Sequence, residues 1–183
     1  MRIGLISDTH IDDSGPSLDQ QILDTFRTSK VAMILHCGDL GTSTKVLDHL
    51  EAIAPVFAVR GYSDPWEEGA RLAETVRVLE VEGVTIGMVH DLYWPGPPIY
   101  ERRQFEFPPG DISETLIRKF GQIVDVVAHG HTHEENITWY QGVLFLNPGS
   151  PSRPSLRSQN GGTFALLDIY NGVITTEVVH LTV

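Results

Sequence analysis

Cysteine is almost absent from this chain. The single Cys37 has no partner for an internal disulfide and ends an apolar run that suits a buried, reduced thiol, so a cytoplasmic protein is expected. Long hydrophobic runs are missing too. No window approaches the roughly 20 apolar residues of a membrane helix, and the apolar stretch in residues 1–6 is too short for a signal peptide, so a soluble chain with no membrane partner is expected. Basic residues are scarce, with 13 Lys and Arg against 24 Asp and Glu. The formal net charge of −11 argues against a surface that neutralises a nucleic-acid backbone, and no nucleic-acid partner is expected. Repeats and low-complexity tracts are also lacking. What is present, 183 residues with 41% hydrophobic side chains, 17 Gly and 11 Pro, describes one turn-rich globular domain over 1–183.

Periodicity divides the chain into alternating elements. Residues 2–7 form an apolar run without helical period, stopped by Ser7-Asp8-Thr9-His10, which predicts a short central strand. Ser14-Gly15-Pro16 then opens a segment in which Leu18, Ile22, Leu23 and Phe26 recur at helical steps. A second strand is predicted over 31–36, and a helix follows with Thr42 or Ser43 as its cap and Val46, Leu47 and Leu50 as its buried face. A third strand spans 56–60. This β-α-β-α-β order predicts parallel strands whose carboxyl ends share one edge. Two β-rich runs at 76–81 and 84–89, joined by Glu82-Gly83, read as a hairpin and favour a mixed α/β sandwich over a doubly wound sheet.

Residues 91–110 carry Pro95, Pro97, Pro98, Pro108 and Pro109 together with Tyr93, Trp94, Tyr100, Phe105 and Phe107. Such a segment is either a binding loop or a surface flap packed by its own aromatics. A helix capped by Asp111, a strand over 124–128, and hairpins turning at Gln141-Gly142 and Asn171-Gly172 complete the chain.

Six of the eight histidines, His10, His36, His90, His129, His131 and His133, fall at or beside the ends of predicted strands. Imidazole and carboxylate bind Zn, Fe, Mn and similar ions, and strand ends bring such groups from distant parts of a chain to one edge. Each piece alone has an ordinary alternative. Asp8-Thr9-His10 and Gly38-Asp39 could be polar turns, and His90 a hydrogen-bonded core histidine. Gly130-His131-Thr132-His133 is sharper, because two imidazoles two residues apart offer two nitrogens to one or two ions.

Taken in order, Asp-x-His, Gly-Asp, Gly-x-x-Asp, a strand-end His and Gly-His-Thr-His resemble the calcineurin-like metallophosphoesterases, and in particular their small single-domain YfcE-type phosphodiesterase branch. Asn147-Pro148-Gly149-Ser150 adds the loop which that branch carries after its histidine motif. The resemblance implies a four-layer αββα sandwich of two mixed β-sheets flanked by helices. It implies two divalent metal ions, with Mn favoured by the ligand mix and Fe, Zn or Ni as alternatives. Asp8, His10 and His133 would hold the first ion, Asp39 would bridge, and His90 with His131 would hold the second. Asp39, His90 and Asp64 would be the catalytic set. Small phosphodiesters, with phosphomonoesters as an alternative, would be hydrolysed by a metal-bridging hydroxide. Two divalent ions against two carboxylates and that hydroxide leave about one positive charge, so an acidic protein can still bind phosphate. Arg153 and Trp94 are candidate substrate contacts, as are Arg102, Arg103 and Arg157, and a homodimer is an allowed assembly.

Two departures stand out. The third motif reads Gly61-Tyr62-Ser63-Asp64 where the family has Gly-Asn-x-Asp with the asparagine a ligand. Tyr62 either ionises against the second ion, swings away from it, or blocks its site. After His90 the family has Gly-His, and here Asp91-Leu92 stands instead. A weakly held second ion and modest activity would follow, as would a preference for good leaving groups, since Ser63 cannot act as an acid. The rival reading is a scaffold like the retromer subunit of this fold, which also lacks the asparagine and binds proteins.

Overall fold

Alternation along the first strand sets the layers. The computed structural model describes residues 1–12, 17–65, 71–99, 107, 110–155 and 162–182. In β1 (Arg2–Ile6), Ile3 and Leu5 enter one core while Ile6 enters another. β2 (Met33–His36) repeats the device, with Leu35 on one side and Ile34 on the other. A period of two is what allows a strand to be buried on both faces.

Two five-stranded sheets result. The first has the order β10-β9-β1-β2-β3, with β3 at Val56–Ala58, β9 at Thr163–Tyr170 and β10 at Val173–His180. The second has the order β4-β5-β6-β8-β7, with β4 at Val76–Val81, β5 at Val84–Val89, β6 at Val126–Ala128, β7 at Glu135–Tyr140 and β8 at Val143–Pro148. Ile3, Leu5, Leu35, Ala165 and Leu167 of the first sheet meet Ile86, Met88, Val126, Leu144 and Leu146 of the second in the central core.

The helices close the outer faces. α1 (Gln20–Thr28) brings Ile22, Leu23 and Phe26, and α2 (Lys45–Glu51) brings Val46, Leu47 and Leu50, against Ile34, Ala58 and Phe164. α3 (Ser113–Phe120) brings Leu116 and Phe120 against Val127, Val143 and Phe145 of the second sheet. The architecture is the expected αββα sandwich. Each fully buried side chain of this kind contributes about 1.5–3 kcal/mol.

The ladders fix where the functional loops emerge. β1 pairs in parallel with β2 in the register Ile6 to His36, and β2 with β3 in the register His36 to Ala58. In the second sheet β5, β6 and β8 are likewise parallel, so Met88, Ala128 and Leu146 lie side by side. The carboxyl ends of six parallel strands therefore supply the loops after Ile6, His36, Ala58, Val89, Ala128 and Pro148. All three hairpin turns place both central residues at positive φ, Glu82-Gly83, Gln141-Gly142 and Asn171-Gly172, as tight turns between twisted strands require.

Element boundaries differ from expectation where local bonds compete. The second strand starts at Met33 rather than 31, because Val31 N–H is taken by the Phe26 carbonyl at the end of α1. The cap of α2 lies at Thr44, and Ser43 Oγ accepts from Lys45 N, while the Thr42 hydroxyl donates to Asp12. Asp111 does accept from Ser113 N at the start of α3. In the 91–110 segment, Leu92 and Ile99 are buried in the outer core beside α3, and Phe107 stacks on Tyr140 with centroids 4.2 Å apart. Tyr93 and Trp94 remain exposed. Residues 100–106 and 108–109 of that segment, the expected helix opening at Ser14-Gly15-Pro16, and the candidates Arg102, Arg103 and Arg157 lie outside the described residues. Among the described residues no helix is long and apolar enough to cross a membrane.

Candidate metal centre

The strand-end loops bend sharply. Nine described non-glycine residues have φ in the left-handed region, and five of them are Asp8, His10, Asp39, His131 and His133. Such a conformation costs roughly 1–3 kcal/mol each and persists where surrounding structure imposes it, most often at functional sites. The bonds that impose it are visible. Asp8 N and His10 N donate to the Gly38 and Asp39 carbonyls, locking the first loop to the second. Asp64 then accepts from the backbone N–H of Asp39, Leu40 and Gly61, tying the loop after β3 to the loop after β2.

Glycine is required where these loops touch. A Cβ on Gly61 would collide with the Asp39 carboxylate and backbone, and one on Gly130 would collide with Ser7 Oγ and the Asp8 carboxylate. The Asn-Pro-Gly-Ser loop acts from the other side. Asn147 Nδ2 donates to the Gly130 carbonyl and the Thr132 hydroxyl, Ser150 Oγ donates to the Asp8 carbonyl, and Ser152 Oγ to the Thr9 carbonyl.

Ligand atoms converge on the resulting concave edge. Asp8, His10 and His133 form one group, and Asp8, Asp39 and His90 a second that shares Asp8. His10 Nε2 lies 3.1 Å from His133 Nε2, and His133 Nε2 lies 3.4 Å from Asp8 Oδ1. Asp39 Oδ2 lies 3.5 Å from His90 Nε2 and 3.7 Å from His10 Nε2. Neighbouring ligands on a tetrahedral ion, with bonds of about 2.0–2.1 Å, stand about 3.4 Å apart. The spacings match.

Tautomers are set from outside. His90 Nδ1 donates to the Cys37 carbonyl at 2.8 Å and His133 Nδ1 to the Arg153 carbonyl at 2.6 Å, leaving each Nε2 lone pair directed inward when the ring is neutral. His90 Nε2 is fully buried and has no hydrogen-bond partner, the signature of a nitrogen reserved for an ion. The residues fit a divalent-metal centre.

The electrostatics agree. Burial pushes the Asp8 carboxyl up to about 6. Burial would push His90 down, but the Asp39 and Asp8 carboxylates outweigh it and raise the imidazole to about 9. Burial also opposes ionisation of Asp39, yet His90, the Ser63 amide and His10 together hold it well below the usual carboxylate range. Two buried carboxylates this close are stabilised by positive charge beside them, which protonated His90 supplies in the metal-free protein and a divalent ion could supply in its place. His36 is not part of this set. Its Nδ1 accepts from Gly38 N, its Nε2 pairs with Thr9 Oγ1, and burial lowers its pKa to about 3, so it stays neutral beneath the loops.

The remaining candidates sit at the margins. Tyr62 is exposed, stands edge-on to the rings of His90 and His131 at 5.5 and 5.2 Å, and donates its hydroxyl to Asp91 at 2.9 Å. His131 Nε2 lies 3.8 Å from the same Asp91 oxygen and outside the two tight groups. Asp64 directs its carboxylate to backbone amides rather than to the concave edge. The Trp94 ring lies 5.8 Å from Tyr62, and Arg153 is exposed at the rim. Beside His10 a cavity of about 240 Å³ is lined by Thr9, Ile11, Leu18, Asp19 and Ser152 among others. The sequence marked position 91 as a departure from the family pattern, and the structure adds that Asp91 accepts the Tyr62 hydroxyl and stands beside His131. The cross-ties of Asn147 and Ser150 had no signal beyond the motif.

The chain belongs to the calcineurin-like phosphoesterase superfamily, whose domain model matches residues 1–172. Among curated relatives it is 35% identical over 156 residues to a probable metallophosphoesterase of Methanothermobacter thermautotrophicus, covering 85% of this chain and 80% of the relative. It is 26% identical over 150 residues to a phosphodiesterase of Methanocaldococcus jannaschii, covering 81% and 83%. Among solved structures, the fold matches Vps29 of Entamoeba histolytica complexed with Zn2+ at a TM-score of 0.69, with 23% identity and 98% and 99% coverage.

Proposed function

We propose that this chain is a metal-dependent phosphodiesterase that hydrolyses small phosphodiesters at a dinuclear centre, with phosphomonoesters as poorer substrates. The observation that carries the reading is the inward convergence of Asp8, His10, Asp39, His90 and His133 at 3.1–3.7 Å, with His90 Nε2 lacking any other partner. Asp8, His10 and His133 would hold one ion, Asp39 would serve both, and His90 with His131 would face the other. When bound, two divalent ions acidify the attacking water and offset the charge that develops on the phosphoryl oxygens. Mn is the ion we favour from the oxygen and nitrogen ligands.

The chain's own groups do the positioning. His90 and His133 are held as Nε2 donors by the Cys37 and Arg153 carbonyls. Asp64 keeps the Asp39 loop in place from behind, which makes it a positioning residue rather than an acid or base. No imidazole stands at position 63 to protonate a departing alkoxide, so esters with acidic leaving alcohols should react fastest.

The test is hydrolysis of bis-p-nitrophenyl phosphate and p-nitrophenyl phosphate by metal-stripped protein with Mn2+, Ni2+, Zn2+ or Mg2+ added back. Metal-restored turnover with the diester preferred is expected. A folded chain that binds metal and turns over neither ester would overturn the reading in favour of a protein-binding scaffold.

A further inference from the structure

The cavity of about 240 Å³ beside the converging ligands is walled by three separate segments, Thr9 to Ile11, Ser17 to Asp19, and Pro151 with Ser152. His10 belongs both to this wall and to the group formed with Asp8 and His133. An ester whose phosphorus stands at the centre can therefore extend one arm into the cavity. Ile11, Leu18 and Pro151 give the walls an aliphatic surface, and Leu18 is only 5% exposed.

The polar groups among them mostly accept. The Thr9 hydroxyl donates to the Leu40 carbonyl, and the Ser152 hydroxyl donates to the Thr9 carbonyl. The Ile11 N–H is also taken by the Leu40 carbonyl, at 2.7 Å. Asp19 caps α1, with Oδ1 accepting from Gln21 N at 2.8 Å, and among the described residues its other carboxylate oxygen has no partner. The Ser17 hydroxyl can turn either way. Charge points in the same direction. Residues 9–19 hold three aspartates and neither lysine nor arginine, and no basic side chain lines the cavity among the described residues. The N-terminus of α1 carries about half a positive charge, which the full negative charge of Asp19 outweighs. Arg153 stands outside the lining, and its charge is felt at His10, the wall shared with the centre.

We propose that this cavity receives the non-reacting arm of the substrate, and that the arm is a short aliphatic chain ending in an ammonium group held by the Asp19 carboxylate. The inference rests on the phosphodiesterase reading and names its substrate class. Such an ester is a zwitterion. Its phosphate faces the metal ligands and Arg153, its methylene groups lie against Ile11, Leu18 and Pro151, and its ammonium meets Asp19. An arm ending in a carboxylate or a second phosphate would meet negative charge and lone pairs, and would lose its water without compensation. A plain alkyl arm would cover the aliphatic wall and gain nothing from Asp19.

Three p-nitrophenyl phosphodiesters with the same leaving group test this, their second arms being 3-aminopropyl, n-butyl and 2-carboxyethyl, similar in length and different in charge. With Mn2+-loaded protein at low ionic strength, kcat/KM should be about threefold to fivefold higher for the aminopropyl ester than for the butyl ester, as a solvent-accessible ion pair allows, and lowest for the carboxyethyl ester. The preference should lie in KM and should shrink in 1 M NaCl. Asp19→Asn keeps a capping side chain and removes the charge, so the aminopropyl-to-butyl ratio should fall to about one. If that variant fails to fold by circular dichroism, Asp19→Ser, which also caps, replaces it with the same expectation. Equal kcat/KM for the three esters in wild type, or a preference that survives loss of the Asp19 charge, would overturn the inference and leave the phosphodiesterase reading standing. Hydrolysis of none of them would defeat that reading instead. Calorimetric titration with 3-aminopropyl phosphate and n-butyl phosphate then decides the cavity by itself. Tighter binding of the amine that Asp19→Asn abolishes upholds the assignment, and equal binding overturns it.

Discussion

The part of the candidate centre formed by Asp8, His10 and His133 closes on itself, whereas the part around Tyr62, Asp91 and His131, from the loops after β3, β5 and β6, is spread apart. In the first, Asp8, His10 and His133 stand within 3.1–3.4 Å of one another along successive pairs. In the second, His131 turns toward Asp91 at 3.8 Å and the aromatic ring of Tyr62 stands between His131 and Trp94. The difference follows from the ties behind the ligands. The first half is drawn together by Asn147, Ser150 and Ser152, which bond to the backbone of both ligand loops. The second half is braced by Asp64 and the Ser63 amide on the side of β2 and β3 and by the bond from His90 Nδ1 to the Cys37 carbonyl, and on the side of β5 its neighbour is the 91–99 loop. Tight ligand spacing is thus a property of the bracing loop rather than of the ligands.

The largest expected effect tests what the halves share. Asp39 lies near His10 of one half and His90 of the other, so Asp39→Asn should loosen both ions. Its kcat/KM for bis-p-nitrophenyl phosphate should fall about 10³-fold, roughly 4 kcal/mol of lost transition-state stabilisation. Steady-state kinetics with saturating Mn2+ checks this. Near-normal turnover would mean that the halves do not act as one centre.

How much of this was legible beforehand depended on whether a residue's role was set by periodicity or by contact. Alternating residues such as Ile34 and Leu35 announce a strand buried on both faces, and the order of strand-end Asp and His residues announced the edge where they meet. The convergence of Asp8, His10, Asp39, His90 and His133 on one edge was readable for that reason. The pairing of Asp91 with Tyr62 was not, because it is a hydrogen bond across 29 positions that no local pattern encodes. Asp64 illustrates the same limit. Its place in a motif suggested chemistry, and what the sequence could not show is that its carboxylate accepts from three backbone N–H groups of the neighbouring loops.

The bracing argument can be broken by removing one brace from each half. Asp64→Ala leaves three backbone N–H groups without their charged acceptor and should cost about 2–3 kcal/mol. Asn147→Ala removes neutral bonds and should cost about 1 kcal/mol. At roughly 2–4 °C per kcal/mol for a chain of this size, thermal unfolding of the metal-free forms resolves the two. Mn2+ titration should then show the first half loosened in Asn147→Ala and the second in Asp64→Ala. Equal loss of both ions in each variant would show that the braces do not act separately.

Proton competition gives a smaller effect with a defined sign. His90 is raised from 6.5 to about 9, so the folded metal-free chain holds this proton more tightly than the unfolded chain does. The stability it contributes is full below pH 6.5 and is lost as pH rises through 9. Asp8, raised from 3.8 to about 6, contributes in the same sense over a window near pH 4–6. Metal ligation needs both groups deprotonated. The rise in Tm on adding Mn2+ should therefore be larger at pH 8.5 than at pH 6.5, by roughly 5 °C. A rise independent of pH would remove His90 from the ligand set.

The smallest effects decide on which half the non-reacting arm of the ester rests. Arg153 flanks the tight half. Its backbone carbonyl holds His133, and its guanidinium is close enough to help burial lower the pKa of His10. Arg153→Ala keeps the backbone contact and removes only the charge, so KM for the diester should rise about threefold to tenfold with kcat unchanged, the mark of uniform binding. Trp94 flanks the open half, exposed beside Tyr62, and stacking of an aromatic ester there is worth about 1 kcal/mol. The cavity of about 240 Å³ is lined by His10 of the tight half and by Pro151 and Ser152, which precede Arg153 in the chain, and not by Trp94, which favours the tight half as the seat of the arm. A KM effect confined to Trp94→Ala would reverse that placement, and with it the view that the better-braced half also orients the substrate.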